Sequence, residues 1–435
     1  MDKRIAGLGN PPRTGQRSGT GVPNADDGTT NAGDVMIDMR SRRVGGLCMI
    51  LVLVAAACAR DGDRAADGTV VAVTDGVTSV VLPQLEATAG PAWRLAESYS
   101  TMDTPPGVEL HQVGDAVFLD DGALAIANSG NREILVLDVD GTERSRFGRQ
   151  GDGPGEFNAI SWLEAGADGG VIAYDPRQAR LTFLSAEGEV LDTRRLAPPS
   201  RVVDLRPLAL LEDGGAIAIY GEMRIFAPTG ERRDTTPLFR FDADLTMADT
   251  VAMLPAKEWA YISILDGSAR TPVGFGRDLA IAGRNGRSAF GPTDSLDIAV
   301  FDASGEVTMR VSGGGLAVPV SPADLDEFRQ NTRDRLTDAP EAMRRAFEEA
   351  PARETWPAFE RLLIDDTGRL WIGAVTRPGQ TLRRWVVLGT DGNVAGALDT
   401  PADATLLDAA ANRLAMLLRS ELDEEYIGVY RIEPE

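Results

Sequence analysis

Residues 121–157 read DGALAIANSGNREILVLDVDGTERSRFGRQGDGPGEF, and this stretch decides the fold because its pattern returns further along the chain. The turn pair at residues 121–122 and the pair at residues 140–141 are 19 residues apart, and both return 47 residues later, at 168–169 and 187–188. Each pair is Asp-Gly or Glu-Gly and lies between short apolar runs that keep the same register. Such runs joined by tight turns predict antiparallel strands in a repeated unit.

Weaker copies of the unit continue to the end of the chain, starting near Asp213, Asp278, Asp365 and Asn412. A repeat of about 40–50 residues made only of strands is typical of the blades of a β-propeller. Six units are present, so we predict an all-β, six-bladed β-propeller, with seven blades as the alternative. The last unit lacks one strand, and we expect Thr69–Val73 to supply it and to close the ring.

The segment from Ala127 to Phe157, with its polar turn at Asn128–Arg132 and its Gly-Pro-rich exit loop, resembles the NHL repeat of β-propellers. More of the chain is similar to a group of bacterial six-bladed propeller lipoproteins, through Leu119–Gly122, Gly151–Phe157, Trp356–Phe359 and Val429–Ile432. This resemblance implies the architecture. It implies no activity, because no function is established for that group.

One stretch departs from the repeat. Ser321-Pro322-Ala323-Asp324 is typical of a helix start, with a capping box and proline at the first helical position. We expect this helix to reach about Leu336 and a second, charged helix to run from about Ala339 to Glu349. Residues 321–351 are therefore predicted as a helical insertion between the fourth and fifth units. Such an insertion caps one mouth of the ring, contacts a partner or only decorates the surface.

An export signal precedes the repeats. Arg40-Ser41-Arg42-Arg43 is followed by an uncharged run of 14 residues, Val44 to Ala57, which is too short to span a membrane as a helix. The end of the run, Val54-Ala55-Ala56-Ala57-Cys58, resembles a bacterial lipobox, which implies that the Cys58 thiol receives a lipid. Alanine at position 55 stands where leucine is commoner, and an ordinary signal peptide cleaved near Ala57 is the alternative.

These features divide the chain. Residues 1–35 are polar and without periodicity, so we expect them to be disordered. Because a signal normally starts close to the initiator methionine, we expect translation to begin at Met36 or Met39. Residues 36–57 form the predicted signal peptide, residues 58–68 a polar tether and residues 69–435 the propeller. Ala59 is not the aspartate associated with inner-membrane retention, which favours the outer membrane.

Charge and histidine content exclude several classes of function. The 435 residues carry 44 Lys and Arg against 66 Asp and Glu, a formal net charge of −22. That acidity argues against nucleic acid and against an anionic membrane surface as partners. His111 is the only histidine, so zinc sites with two or three imidazoles are excluded. No Gly-x-Ser-x-Gly motif accompanies it, and we interpret His111 as a residue of a strand over 109–113.

Two loops carry fragments of binding motifs. Asp138-Val139-Asp140-Gly141 matches a fragment of the Asp-x-Asp-x-Asp-Gly calcium loop, but the third acidic position and the distal glutamate are missing. The same residues are also typical of a hairpin turn. Gly151–Phe157 could cradle a phosphate, yet it lacks the Lys-Ser/Thr of a P-loop and opens no helix. We interpret the second loop as a connector between blades, with Phe157 as a plug of the core.

Several side chains are candidates for a site. Arg146, Arg149, Arg383 and Arg384 could bind anions, although such arginines are ordinarily solvated. The six tryptophans are expected in the cores of the blades rather than in a sugar platform; they are Trp93, Trp162, Trp259, Trp356, Trp371 and Trp385. Asp and Glu near strand ends allow a carboxylate-lined central channel, as in calcium-dependent propeller lactonases.

We therefore expect a lipid-anchored envelope propeller that works as a binding or scaffolding module, without a predicted cofactor. Its partner would be an envelope protein or a small ligand, and its only link to the membrane would be the lipid. The alternative is a Ca²⁺-dependent hydrolase or lactonase that uses channel carboxylates. A structural repeat protein without a ligand is the third interpretation.

The lipid anchor is testable by labelling. Cells that express the protein and are fed radiolabelled palmitate should incorporate label into the wild-type chain and not into Cys58→Ala, because only the thiol at the lipobox can receive the diacylglycerol. Cys48→Ala is the matched control and should stay labelled. Label that persists in Cys58→Ala would contradict the lipobox interpretation.

Overall fold

The computed structural model describes residues 68–88, 90–103, 108–196, 205–221, 228–264, 267–314, 317–410 and 412–435. All of them belong to the second of two compact units, which spans Ala59–Glu435. The predicted disordered segment, the signal peptide, Cys58 and nearly all of the tether lie outside the described residues. Within the described ranges, no helix has the length and apolar character needed to cross a membrane.

Strands dominate the described residues. They are β1 Val70–Thr74, β2 Val77–Leu82, β3 Trp93–Ser100, β4 Val113–Phe118, β5 Leu124–Asn128, β6 Glu133–Leu137, β7 Glu143–Phe147, β8 Trp162–Ala165, β9 Val171–Asp175, β10 Arg180–Leu184, β11 Val190–Arg195, β12 Leu205–Leu210, β13 Ala216–Tyr220, β14 Gly230–Arg232, β15 Thr235–Phe241, β16 Met247–Pro255, β17 Trp259–Ile264, β18 Gly267–Pro272, β19 Leu279–Arg284, β20 Arg287–Pro292, β21 Leu296–Phe301, β22 Val307–Gly313, β23 Arg361–Ile364, β24 Leu370–Gly373, β25 Leu382–Leu388, β26 Val394–Pro401, β27 Thr405–Ala410, β28 Arg413–Arg419 and β29 Glu425–Pro434. Two α-helices, α1 Pro322–Arg335 and α2 Glu341–Glu348, and two short 3₁₀ turns, Leu85–Ala87 and Ala167–Gly169, complete the set.

Most strands form four-stranded antiparallel sheets, which we number as blades in chain order. Blade 1 is β4 to β7, blade 2 is β8 to β11, blade 3 is β12, β13, β15 and β16, blade 4 is β19 to β22, blade 5 is β23 to β26, and blade 6 is β27 to β29 with β3. The innermost strands contact one another in the order β4, β8, β12, β19, β23, β27 and back to β4. The predicted all-β propeller fold is confirmed, and this order of contacts supports a ring of six blades.

Apolar cores lie between the blades rather than in one centre. Each of six clusters of buried side chains combines residues of two neighbouring blades, including one that joins blade 6 back to blade 1. Between blades 1 and 2, for example, Ile134 packs in the same cluster as Leu184, and both are almost fully buried. Both faces of a strand are thus covered, which explains its near-continuous apolar sequence.

The predicted closing strand is wrong. Thr69–Val73 does not complete the last unit; β3 does, by pairing antiparallel with β29 so that Tyr99 faces Val429. Residues 70–82 instead form a hairpin whose second strand lies parallel to β22 at the outer edge of blade 4. The hairpin closes because Asp75 and Gly76 both have positive φ, and its second strand then pairs with the open outer edge of β22.

The helical insertion is confirmed between blades 4 and 5. Ser321 caps α1: its side chain accepts a hydrogen bond from the amide of Asp324, whose carboxylate accepts one from the amide of Ser321. The α2 helix, Glu341–Glu348, is slightly shorter than predicted because Pro340 occupies its N-cap position.

The Gly-Pro-rich segment after β7 connects blade 1 to blade 2, as predicted. Its backbone turns back on itself: the amide of Phe157 donates to the carbonyl of Arg149, and the amide of Gly151 donates to the carbonyl of Phe157. The ring of Phe157 is fully buried between the two blades. This loop therefore inserts an aromatic plug into the core.

Replacing that plug should be costly. Phe157→Ala is expected to lower the free energy of unfolding by about 3–5 kcal/mol, because it leaves a cavity between two rigid sheets. Leu191→Ala, at a side chain that is 67% exposed on β11, is the matched control and should change stability by less than about 0.5 kcal/mol. Urea unfolding followed by tryptophan fluorescence measures both. Equal stabilities of the two variants would contradict the plug.

Candidate functional site

The innermost strands of all six blades surround a cavity on the ring axis. Its volume is about 1090 Å³, and it opens at the end where these strands begin. A second cavity of about 550 Å³ lies at the other end, where the innermost strands finish. We call the first the upper channel and the second the lower channel.

A buried ion pair separates the two cavities. Arg284, at the end of β19, lines both channels, and its guanidinium forms an ion pair with Asp408 of β27. The two side chains are 8% and 6% exposed. Arg284 also donates to the carbonyl of Phe118, 3.2 Å away, and the amide of Phe118 donates to Asp408 over 2.7 Å. The pair thus links blades 1, 4 and 6 at the floor of the upper channel.

Two further buried carboxylates tie successive blades together. Asp115 of blade 1 accepts a hydrogen bond from the amide of Leu163 in blade 2, at 2.9 Å. Glu164 of blade 2 accepts one from the amide of Leu210 in blade 3, at 3.1 Å, and another from the amide of Asn285 in blade 4, at 2.9 Å. Leu163 and Leu210 lie on innermost strands, whose free edges leave backbone amides without a partner in the sheet, and Asn285 follows such a strand in a turn; carboxylate oxygens satisfy these amides.

Burial governs the protonation of both carboxyls. Desolvation raises the pKa of Asp115 to about 7, although the amide of Leu163 and the charge of Arg206 work against the shift. Desolvation likewise raises the pKa of Glu164 to about 7 against the amides of Asn285 and Leu210. Burial therefore favours the neutral, protonated form of each carboxyl.

The insertion forms part of the mouth of the upper channel. Asp324, Glu327, Phe328 and Asn331 line it from α1, and their spacing places them on one helix face. Phe275, in the loop between β18 and β19, contacts Phe328 and Trp356, with ring centroids 5.4 Å and 4.6 Å apart. We call Phe275, Phe328 and Trp356 the aromatic wall; all three are half-buried.

Hydrogen bonds hold the aromatic wall in place. Arg277 donates to the carbonyls of Phe275 and Thr355. These two hydrogen bonds join the segment that carries Phe275 to the segment that carries Trp356. Arg353 binds Glu258 through two hydrogen bonds of 3.0 Å. Phe275 itself has a φ of 52°, an unfavourable conformation for a bulky residue that its surroundings maintain.

Most candidates singled out from the sequence lie away from this channel. Asp138 pairs with Arg144, and Asp140 accepts from the amide and hydroxyl of Thr142, which is turn chemistry. The four candidate arginines form ion pairs: Arg146 with Glu133 and Glu143, Arg149 with Glu156, Arg383 with Glu360, and Arg384 with Asp399.

Two sequence interpretations need correction. His111 is exposed and precedes β4 instead of lying in a strand, because its amide donates to the side chain of Asn128 rather than to a backbone carbonyl. Trp162, Trp371 and Trp385 are buried between blades as expected. Trp356 and Trp259 are not blade-core residues. Trp356 belongs to the segment after α2 and lines the channel mouth, and Trp259 lies on β17, which pairs with β14 and β18 outside the six blades.

The predicted carboxylate-lined channel is present in part. Among the described residues, no three His, Cys, Asp or Glu side chains come together as a possible metal site. Asp115, Glu164 and Asp408 do surround the axis, but each accepts hydrogen bonds from backbone amides of other blades. The sequence analysis did not single out these three carboxylates. Each is a charged residue within the otherwise apolar sequence of an innermost strand, and that pattern could have identified them.

Comparison with known proteins adds no chemistry. No protein-family model matches the chain, and no functionally curated protein matches it. Among solved structures it is similar to a DUF4221 family member from Bacteroides vulgatus, with 9% identity, 79% of this chain and 99% of that one covered, and a TM-score of 0.44. It is also similar to virginiamycin B lyase from Staphylococcus aureus, with 11% identity, 78% of this chain and 99% of that one covered, and a TM-score of 0.38. A third similar structure is the calcium-binding protein regucalcin from Agrobacterium tumefaciens, with 12% identity, 75% of this chain and 93% of that one covered, and a TM-score of 0.36.

The buried carboxyls predict the pH dependence of stability. The pKa of about 7 for Asp115 and Glu164 in the folded chain lies above the value of about 4 expected after unfolding. Between these values the folded state binds protons that the unfolded state releases, so stability falls as pH rises through 7. We expect the free energy of unfolding to be greater at pH 5 than at pH 8, with a difference on the order of a few kcal/mol.

Urea unfolding at fixed ionic strength measures this difference. The double variant Asp115→Asn/Glu164→Gln should show a much smaller change over the same pH range, since neither amide titrates. Wild-type stability that rises from pH 5 to pH 8 would mean that both carboxyls are ionised throughout.

Proposed function

We propose that the protein is a lipid-anchored β-propeller of the cell envelope, on the outer membrane, that binds a small organic ligand in its upper channel. The observation that carries the proposal is the cavity of about 1090 Å³ with an aromatic wall at its mouth. Concave sites of several hundred Å³ lined by aromatic groups and a few polar ones are typical of small-molecule binding. The predicted signal and Cys58 support the location.

The geometry favours binding over the Ca²⁺-dependent hydrolase. Calcium needs six to eight oxygen ligands around one point, whereas the channel carboxylates are held on separate strands by backbone amides and by Arg284. A scaffold for an envelope protein is favoured less, because a deep cavity on the ring axis suits a small molecule better than a protein surface.

Closing the mouth should abolish binding. Asn331 is exposed on the channel face of α1, and Arg329 is exposed two residues earlier, outside the channel lining. We expect Asn331→Trp to obstruct the mouth, while Arg329→Trp introduces the same bulk elsewhere on the helix. Compounds from a small-molecule library that raise the melting temperature of the wild-type protein should also stabilise Arg329→Trp and should not stabilise Asn331→Trp.

The other interpretations predict different results. Hits that stabilise Asn331→Trp as well as the wild type would place binding outside the channel. Turnover of lactones that requires Ca²⁺ and is lost in Asn331→Trp would establish the hydrolase instead. If no compound stabilises the wild type and an envelope protein co-purifies in stoichiometric amount, the protein is a scaffold.

A further inference from the structure

Cationic side chains of the upper channel are nearly all neutralised by acids or held by the backbone. Arg277 donates to two carbonyl groups, and the others form ion pairs: Lys257 with Asp278 at 2.7 Å, Arg284 with Asp408, Arg361 with Glu360 at 4.0 Å, and Arg377 with Glu86 at 3.0 Å. Arg206 differs from all of these. Its side chain lines the channel and is exposed, and it forms no ion pair or hydrogen bond with any described residue.

The strand around Arg206 explains its position. Arg206 lies near the start of β12, where the pairing with β13 shifts between Pro207 and Ala209. This irregularity is at the innermost edge of blade 3, directly on the channel. The side chain is therefore presented by a rigid strand rather than by a loop, as a preorganised binding residue should be.

One acid is close enough to affect Arg206. The charge of Arg206 lowers the pKa of Asp115, but the two side chains form no ion pair. Asp115 is directed to the amides of Leu163 and Ala116, and Asp408 is the other charged group that influences it. Because burial holds the pKa of Asp115 at about 7, this carboxyl neutralises little of the charge of Arg206 at mildly acid pH.

Most acids of the channel are also engaged. Asp278 and Asp408 are in ion pairs, Asp324 caps α1, and Glu258 binds Arg353. Glu327 is the exception: it is exposed on the channel face of α1 and has no ion pair with a described residue. It therefore serves as a probe of the sign of the ligand's charge.

The aromatic wall supplies a second recognition element in the same cavity. Trp356 and Phe275 meet edge to face, with ring planes at 70°, and both side chains line the channel. Phe275 holds a φ of 52°, a conformation that costs free energy for a bulky residue and that its packing against Phe328 and Trp356 maintains. Flat apolar groups pack well against surfaces of this kind.

We propose that the upper channel binds an anionic ligand with a flat apolar part, whose acid group pairs with Arg206 and whose apolar part lies against Phe275, Phe328 and Trp356. This inference rests on the proposed function and adds the chemical class of the ligand. A carboxylate, sulfonate or phosphate can accept two parallel hydrogen bonds from a guanidinium, which fixes orientation as well as charge.

Two fluorescent probes separate the acid group from the rings. 1-Anilinonaphthalene-8-sulfonate carries the negative charge, and N-phenyl-1-naphthylamine has the same ring systems without it. Both are titrated into the full protein and its variants at constant ionic strength. We expect the sulfonate to bind the wild type at least tenfold more tightly than the neutral amine, and more tightly at pH 6 than at pH 8 as Asp115 becomes protonated.

Variants assign that difference to residues. Arg206→Gln should weaken sulfonate binding about tenfold or more and leave the neutral probe within about twofold, whereas Trp356→Ala should weaken both probes. Glu327→Gln should tighten the sulfonate only. Arg195→Gln, at an exposed arginine on the outer strand of blade 2, is the matched control and should change neither. Thermal unfolding verifies that each variant is folded.

Two failures can be told apart. If Trp356→Ala weakens both probes but Arg206→Gln affects neither, the channel binds ligands and the anionic class is wrong. If no channel variant changes the binding of either probe, the channel is not the site, and the proposed function fails with the inference.

Discussion

The inner strands of the blades are apolar on both faces, and that constraint governs the rest of the structure. A sheet of this kind is stable only when a neighbour covers each face, and six interfacial clusters do so, the last joining blade 6 to blade 1. Closure depends on β3, which joins an N-terminal segment to the C-terminal strand β29. The first and last parts of the ring are thereby held together, and every blade has a neighbour on each side.

Closure also creates the polar chemistry at the axis. Six innermost strands meet there, and as edge strands they leave backbone amides without a partner in the sheet. Asp115, Glu164 and Asp408 accept hydrogen bonds from those amides across blade boundaries, and Arg284 divides the axis into two channels. Buried polar groups need hydrogen-bond partners. These carboxylates therefore have a structural role, which is to satisfy backbone amides at the axis. What remains open to a ligand is the mouth and Arg206.

The parts that sequence reasoning predicted well are those encoded by neighbouring residues. The repeated turns, the strand pattern, the capped helix at Ser321 and the plug at Phe157 each depend on a few adjacent positions. Errors arose where partners are distant in the chain. Thr69–Val73 has the composition of a strand, but nothing in it shows which of two open sheet edges it will join. In the sequence, Trp356 cannot be distinguished from the tryptophans of the blades. It lines the mouth of the upper channel because it follows the helical insertion.

The sequence by itself determined the propeller fold, the place of the insertion and the exclusion of histidine-based zinc chemistry, because strand period, capping and composition are local or global properties of the chain. Only the tertiary structure decided which strand closes the ring and which charges stay uncompensated in the channel. Arg206 resembles many other arginines in the sequence; whether an acid neutralises it depends on side chains brought together from blades far apart in sequence. That information exists only once the ring is closed.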